Sequence, residues 1–195
     1  MQPYINILRL IDLNLCLLAS FLFCLGLILS PWIVRRNVRF FLFYPLWIWG
    51  LIKRHLKPED PYLKIFFFIF SLNSISLLFN VLSGLFFVLP FIFAILLGMN
   101  VGIVLFKEIG KLDFLAIFLN PVSLFELPAA WISISVGIKI GILLYPDFAL
   151  SAIGEVVSKE IPVYIYVIIP LLIISGLIET TMIKVLARKL ETRNR

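Results

Sequence analysis

Charge is scarce in this chain: Asp, Glu, Lys and Arg make up 14% of its 195 residues, and there is a single histidine. So few ionisable groups exclude an ordinary soluble domain, where about a quarter of residues are charged. One histidine and two cysteines leave no ligand set for zinc or haem. Cys16 and Cys24 are eight residues apart on one expected helix, about 12 Å by helical rise, too far for a disulfide. There is no phosphate-binding loop, nucleophile elbow or paired protease motif, so no enzyme activity and no cofactor are expected. What fills the chain is apolar: 62% hydrophobic residues, nineteen of them Phe. The formal charge of +6 is not read as a nucleic-acid footprint, because the basic residues flank apolar runs, where they set topology against anionic lipid.

The runs define an all-α polytopic membrane bundle in a single domain, residues 1–195. Five spans are expected, at about 8–29, 65–82, 85–106, 114–144 and 163–186, the second and third joined as a hairpin through Ser83-Gly84. The N-terminus lacks a basic opening, so the first span is expected to be retained. Phe40 to Ile52 is apolar and aromatic but too short to cross. With Arg35, Arg36 and Arg39 before it and Lys53, Arg54 and Lys57 after it, it reads as an amphipathic helix in the headgroup plane. Tyr145 to Ile161 reads as a polar connection. Five spans gather fourteen Lys and Arg on one side and leave Arg9 and Lys159 on the other, which predicts a cell-membrane protein with a cytoplasmic C-terminus.

Phe114 to Leu144 would measure about 46 Å as one helix, against about 30 Å of hydrocarbon. Pro121 and Pro128 each deny it a backbone donor, so a break is expected between Asn120 and Pro128, as a kink or a re-entrant piece. Glu126 lies between them. A carboxylate at such depth is costly unless something answers it. Rise alone puts Glu126, Glu179 and Asn100 at a shared level, about 24–27 Å from the outer ends of their spans, with Asn73 nearer the middle. Ala129, Ser133, Gly137 and Gly141 form a row of small residues, expected to meet Ser175, Gly176 and Thr180 of the last span. Gly98 and Gly102 share the small-xxx-small spacing of packed helices. Lys139, close to the outer end, is expected to snorkel to the interface. The acids read either as hydrogen-bonded glue or as a proton or cation site.

Pro121-Val122-Ser123-Leu124-Phe125-Glu126-Leu127-Pro128-Ala129 resembles the Pro-His-Gly-x-x-Glu-x-x-Ala signature of the stage II sporulation protein M family. Gly137-Ile138-Lys139-Ile140-Gly141 is similar to its Gly-rich continuation. Phe70-Ser71-Leu72-Asn73, Asn100 and Leu177-Ile178-Glu179 resemble its Phe-x-x-Asn-Asn, Asn-Gly and Ile-Glu positions, so the likeness spans roughly residues 65–187. Val122 and Ser123 stand where the family has His and Gly, Ser74 replaces its second Asn, and Val101 its Gly. The resemblance therefore carries Pro121, Glu126 and Glu179 but no role that needs the His. It implies a membrane scaffold that gathers partner proteins. The expected partners are the lipid bilayer and other membrane proteins or further copies of the chain, with a transport subunit as the alternative.

Overall fold

Asp12 starts the first long helix. Its Oδ1 accepts from the Asn14 and Leu15 amides at 2.9 and 3.2 Å, satisfying donors that a helix start leaves unpaired. Helix α1 therefore runs Leu13–Arg35, several residues later than the expected 8–29. It also continues through Pro31. The carbonyl left without a partner there belongs to Leu27, and Ser30 Oγ donates to it at 2.7 Å. Asn37, left-handed at φ 50°, then turns the chain, and the Val38 amide closes back on Ile33 O at 3.1 Å. In the computed structural model, residues 7–145 and 150–193 are described. Pro146 and Asp147 of the expected polar connection, and Arg195 of the basic tail, lie outside the described residues.

Helix α2 (Arg39–His55) buries Leu42 and Pro45 and exposes Phe40, Phe43, Tyr44 and Trp47, an apolar ridge at helical spacing. Trp49 Nε1 and Lys53 Nζ both donate to Glu108 Oε1, at 2.8 and 2.7 Å, and so fasten α2 across the end of a later helix. Helix α3 (Tyr62–Leu82) passes through a 3₁₀ turn, Ser83–Leu85, into α4 (Leu89–Ile109), which Gly110 ends at φ 80°. Asp113 caps the short helix α5 (Phe114–Phe118), and α6 follows at Ser123–Leu144. Helix α7 (Leu150–Val163) feeds a π-helical turn, Tyr164–Ile168, and then α8 (Ile169–Arg193). Tyr145–Ile161, expected as a polar connection, thus contains a helix.

The close contacts give each helix its direction. Gly26 meets Ile95 and Met99, Gly98 meets Phe23, Gly102 meets Ser30, and the Arg35 guanidinium lies over the Phe106 ring. Residue numbers rise together, so α1 and α4 are parallel. Asn80 meets Ser133, and Gly84 meets Gly137, so α3 and α6 are parallel too. Tyr62 reaches Thr181 and Ser74 reaches Tyr164, which sets α8 antiparallel to α3. Cys16 on Ser135 and Phe23 on Trp131 set α1 antiparallel to α6. Hence α1, α4 and α8 run one way and α3 and α6 the other. Had α2 crossed, α1 and α4 would oppose each other. Among the described residues five helices are long and apolar enough to span, and α2 is not one of them.

Helix α6 is the axis. Within its apolar window 67% of residues are buried, against 28–33% in the other four spans. Ala129, Ile134, Val136, Ile138 and Ile140 of α6 are almost wholly enclosed by α1, α3, α4 and α8. The expected hairpin of α3 and α4 does not pack along its length. Instead, α4 lies against α1 and α3 against α6 and α8, with the 3₁₀ turn as their link.

Candidate functional site

The segment ahead of α6 is shaped by Asn120-Pro121. Asn120 Oδ1 accepts from the Val122 amide at 3.0 Å, and Pro121 cannot continue α5, so the chain breaks over residues 119–122. Pro128 differs from expectation: it lies inside α6, in its second turn. One missing donor near a helix end interrupts little, and the surrounding helices cover the backbone it loosens. The break places Glu126 in the first turn of α6, where its own amide donates to Val122 O at 3.0 Å. A carboxylate at a helix N-terminus is favoured by the helix dipole.

Glu126, in the first turn of α6, and Glu179, in α8, are both half-buried. Among the described residues neither side chain forms a hydrogen bond or ion pair, and the same holds for the side chains of Asn100 and Asn73. Parallel packing of α1 with α4, and antiparallel packing of α1 with α6, carry Asn100 to about the level of Glu126 without joining them. One turn before Glu179, on the same face of α8, Ser175 is fully buried and its Oγ has no partner. Trp131 Nε1, in α6, is a second buried donor without an acceptor.

The small-residue row is used differently from expectation. Ser133 accepts from Asn80 Nδ2 at 3.2 Å, a side chain on Gly137 would run into Asn80 O, and one on Gly141 would press on Gly84 and Phe87. Three members of the row thus face α3 and its 3₁₀ turn, because the backbones approach most closely there. Gly176 faces Phe66 of α3, 3.2 Å from where its Cβ would sit, and Thr180 Oγ1 turns inward to Gly176 O at 2.7 Å. Ala129 lies in the core shared with α8. Gly98 and Gly102 pack on α1, whose Gly26 and Ser30 complete the seam.

Lys139 does not snorkel. Its Nζ lies 2.7 Å from Glu160 Oε1 and donates to Leu10 O at 2.9 Å, tying α6 to α7 and to the residues before α1. Glu160 is 3% exposed, and its second oxygen has no partner among the described residues. Two opposite charges near the same end of the bundle were the available signal, but Glu160 stands in a segment that reads as a solvated connection. Asn80, buried and bonded to Ser133, was equally silent, although it repeats Asn73 two turns on. The π turn has a visible consequence: Tyr164 Oη donates to Ser74 O at 2.6 Å and lies 2.7 Å from Ser74 Oγ. Cys16 Sγ donates to Ser135 Oγ at 3.3 Å, and both cysteines are free. Among the described residues, no group of three or more His, Cys, Asp or Glu could hold a metal ion.

These features define a class: a multi-pass helical membrane protein whose most enclosed helix carries a half-buried carboxylate in its first turn. The chain belongs to the Stage II sporulation protein M family, whose model matches residues 19–182. The match begins inside α1, so it takes in α2 and all five spans rather than only the stretch from residue 65. No curated protein and no solved structure matches the chain.

Proposed function

We propose that this protein is a non-catalytic scaffold or assembly subunit of a membrane complex, with its basic end and C-terminus on the cytoplasmic side of the cell membrane. The observation that carries this reading is the backbone-to-backbone packing at Gly26 and Gly98 and at Gly84 and Gly137. A transporter must rock one group of helices against another. Seams in which a single added carbon meets backbone atoms resist such sliding and suit a fixed platform. The exposed apolar face of each outer helix is then left for lipid and for partner spans. Purification from native membranes with mass spectrometry tests the reading: other membrane proteins should co-purify in fixed ratio, and recovery of the chain alone would count against it.

The transport reading rests on a different observation, half-buried carboxylates on α6 and α8 whose side chains have no hydrogen-bond or ion-pair partner among the described residues. Two acids brought together in low dielectric share a proton or hold a cation. Substitution separates the readings. For a scaffold, Glu126→Gln keeps the complex together, because the amide still offers hydrogen bonds, while Glu126→Leu weakens it. For a transport subunit, Glu126→Gln alone removes flux and leaves assembly intact.

A further inference from the structure

At the basic end of the bundle, α8 turns one face towards the loop that leads into α3. Thr181, Lys184, Val185 and Arg188, at i, i+3, i+4 and i+7, form one wall of a groove of about 560 Å³, and Glu59 and Tyr62 stand on the other. The groove is built rather than incidental. Lys184 Nζ is held between two backbone carbonyls, donating to Pro58 O at 2.8 Å and also to Asp60 O. That clamp fixes an ammonium at the groove and leaves it one further N–H. Tyr62 Oη donates to Leu177 O at 3.1 Å, and Thr181 Oγ1 lies 3.1 Å from it, so the aromatic wall is fixed as well. Val185 and the Tyr62 ring supply apolar surface beside the charges.

Depth selects the ligand. Below the groove, Phe66 stacks on Phe70 and packs on Gly176, so α3 offers an apolar surface directly beneath it. Glu59 lines the groove with Lys184 and Arg188, and beside it Lys57 and Lys64 flank Asp60, which pairs with Lys64, so four cations stand against two carboxylates there. Cations beside an aromatic wall, where apolar helices meet water, match a phosphodiester whose acyl chains descend along the bundle. Lys and Arg at such depth recognise phosphate by charge-assisted hydrogen bonds. We infer that this groove is a binding site for the headgroup of an anionic phospholipid, seated against Lys184 and Arg188 with its chains along α3 and α8. The assignment holds for a scaffold and for a transport subunit alike.

The full chain in a neutral detergent provides the test, with short-chain dioctanoyl phosphatidylglycerol as the probe and thermal unfolding and native mass spectrometry as readouts. One molecule should bind saturably, with the zwitterionic dioctanoyl phosphatidylcholine at least tenfold weaker. Arg188→Gln should weaken binding about tenfold, with the ligand-induced shift measured from that variant's own ligand-free unfolding midpoint. Arg54→Gln, at the same end but outside the groove, should leave binding unchanged. Lys184→Gln should lose binding too, and because it also opens the loop clamp, Arg188→Gln decides if that variant fails to fold. Equal loss with Arg54→Gln, or non-saturating uptake, would show diffuse attraction and overturn the site. Inorganic phosphate displacing the lipid at equal concentration would overturn the lipid assignment.

Discussion

Gly98 leaves no room for a side chain: a Cβ there would collide with Phe23 O, and Gly26 faces the same constraint against Ile95 O. Neither obstacle is the end of a flexible side chain, so a larger residue must push α1 and α4 apart. Gly98→Val should destabilise by about 3 kcal/mol, the upper part of the usual overpacking range. Gly154→Ala is the control, because a Cβ at that position meets nothing within 4 Å. Thermal unfolding in detergent should separate the two clearly, and similar midpoints would show that the seam yields. Lys139 gives a second prediction at this scale. Glu160 is enclosed and among the described residues takes its ion pair from Lys139 alone, so Lys139→Met strands a buried charge at a cost of about 3–5 kcal/mol. Adding Glu160→Met should restore most of that loss, since replacing a buried pair by apolar residues is often neutral. A double variant no better than Lys139→Met would mean that the pair is not the source of the effect.

Between elements, the decisive relation is the parallel run of α1 and α4. After replacement of Cys16 and Cys24 by alanine, Ala19→Cys with Ala94→Cys should cross-link readily, because both residues are fully buried in one cluster. Ala19→Cys with a cysteine at Phe106 should not, because Phe106 meets Arg35 at the far end of α1. The reverse pattern would indicate antiparallel helices and a crossing α2. Much of this level was legible in the sequence. Apolar length marked the spans, the aromatic α2 was too short to cross, and Asn120-Pro121 announced the break. What stayed hidden depended on partners distant in the chain. Pro31 reads as a stop until Ser30 is seen to fill Leu27 O, and Pro128 reads as a breaker until neighbours enclose α6. The row Ser133, Gly137 and Gly141 was visible as a close-packing surface, but periodicity does not say which helix comes near. Ser175, Gly176 and Thr180 were as good a match on paper as α3. The carboxylates were found because acids are conspicuous in an apolar run, whereas Glu160 lay in a stretch polar enough to pass as a loop.

Across the whole molecule, helix direction and charge point to one arrangement by separate routes. The alternation of α1, α3, α4, α6 and α8 comes from contacts and takes no account of charge. It nonetheless gathers Arg35, Arg36, Lys53, Lys107, Lys111 and Lys184 at one end of the bundle, while the Lys139–Glu160 pair and Lys159 mark the other. An excess of basic residues is retained on the cytoplasmic face of a membrane protein, so that end faces the cytoplasm under the function proposed above. On a background lacking Cys16 and Cys24, single cysteines at Arg36, Lys111 and Arg188 should resist a membrane-impermeant maleimide in intact cells and react once the membrane is opened. A cysteine at Ser158, exposed on α7, should react in intact cells. Labelling of Arg36 and Lys111 from outside, with Ser158 protected, would invert the molecule and leave its fold untouched. Labelling of Arg36 and Ser158 together from outside would contradict the fold itself, because α1 would then fail to separate the two ends.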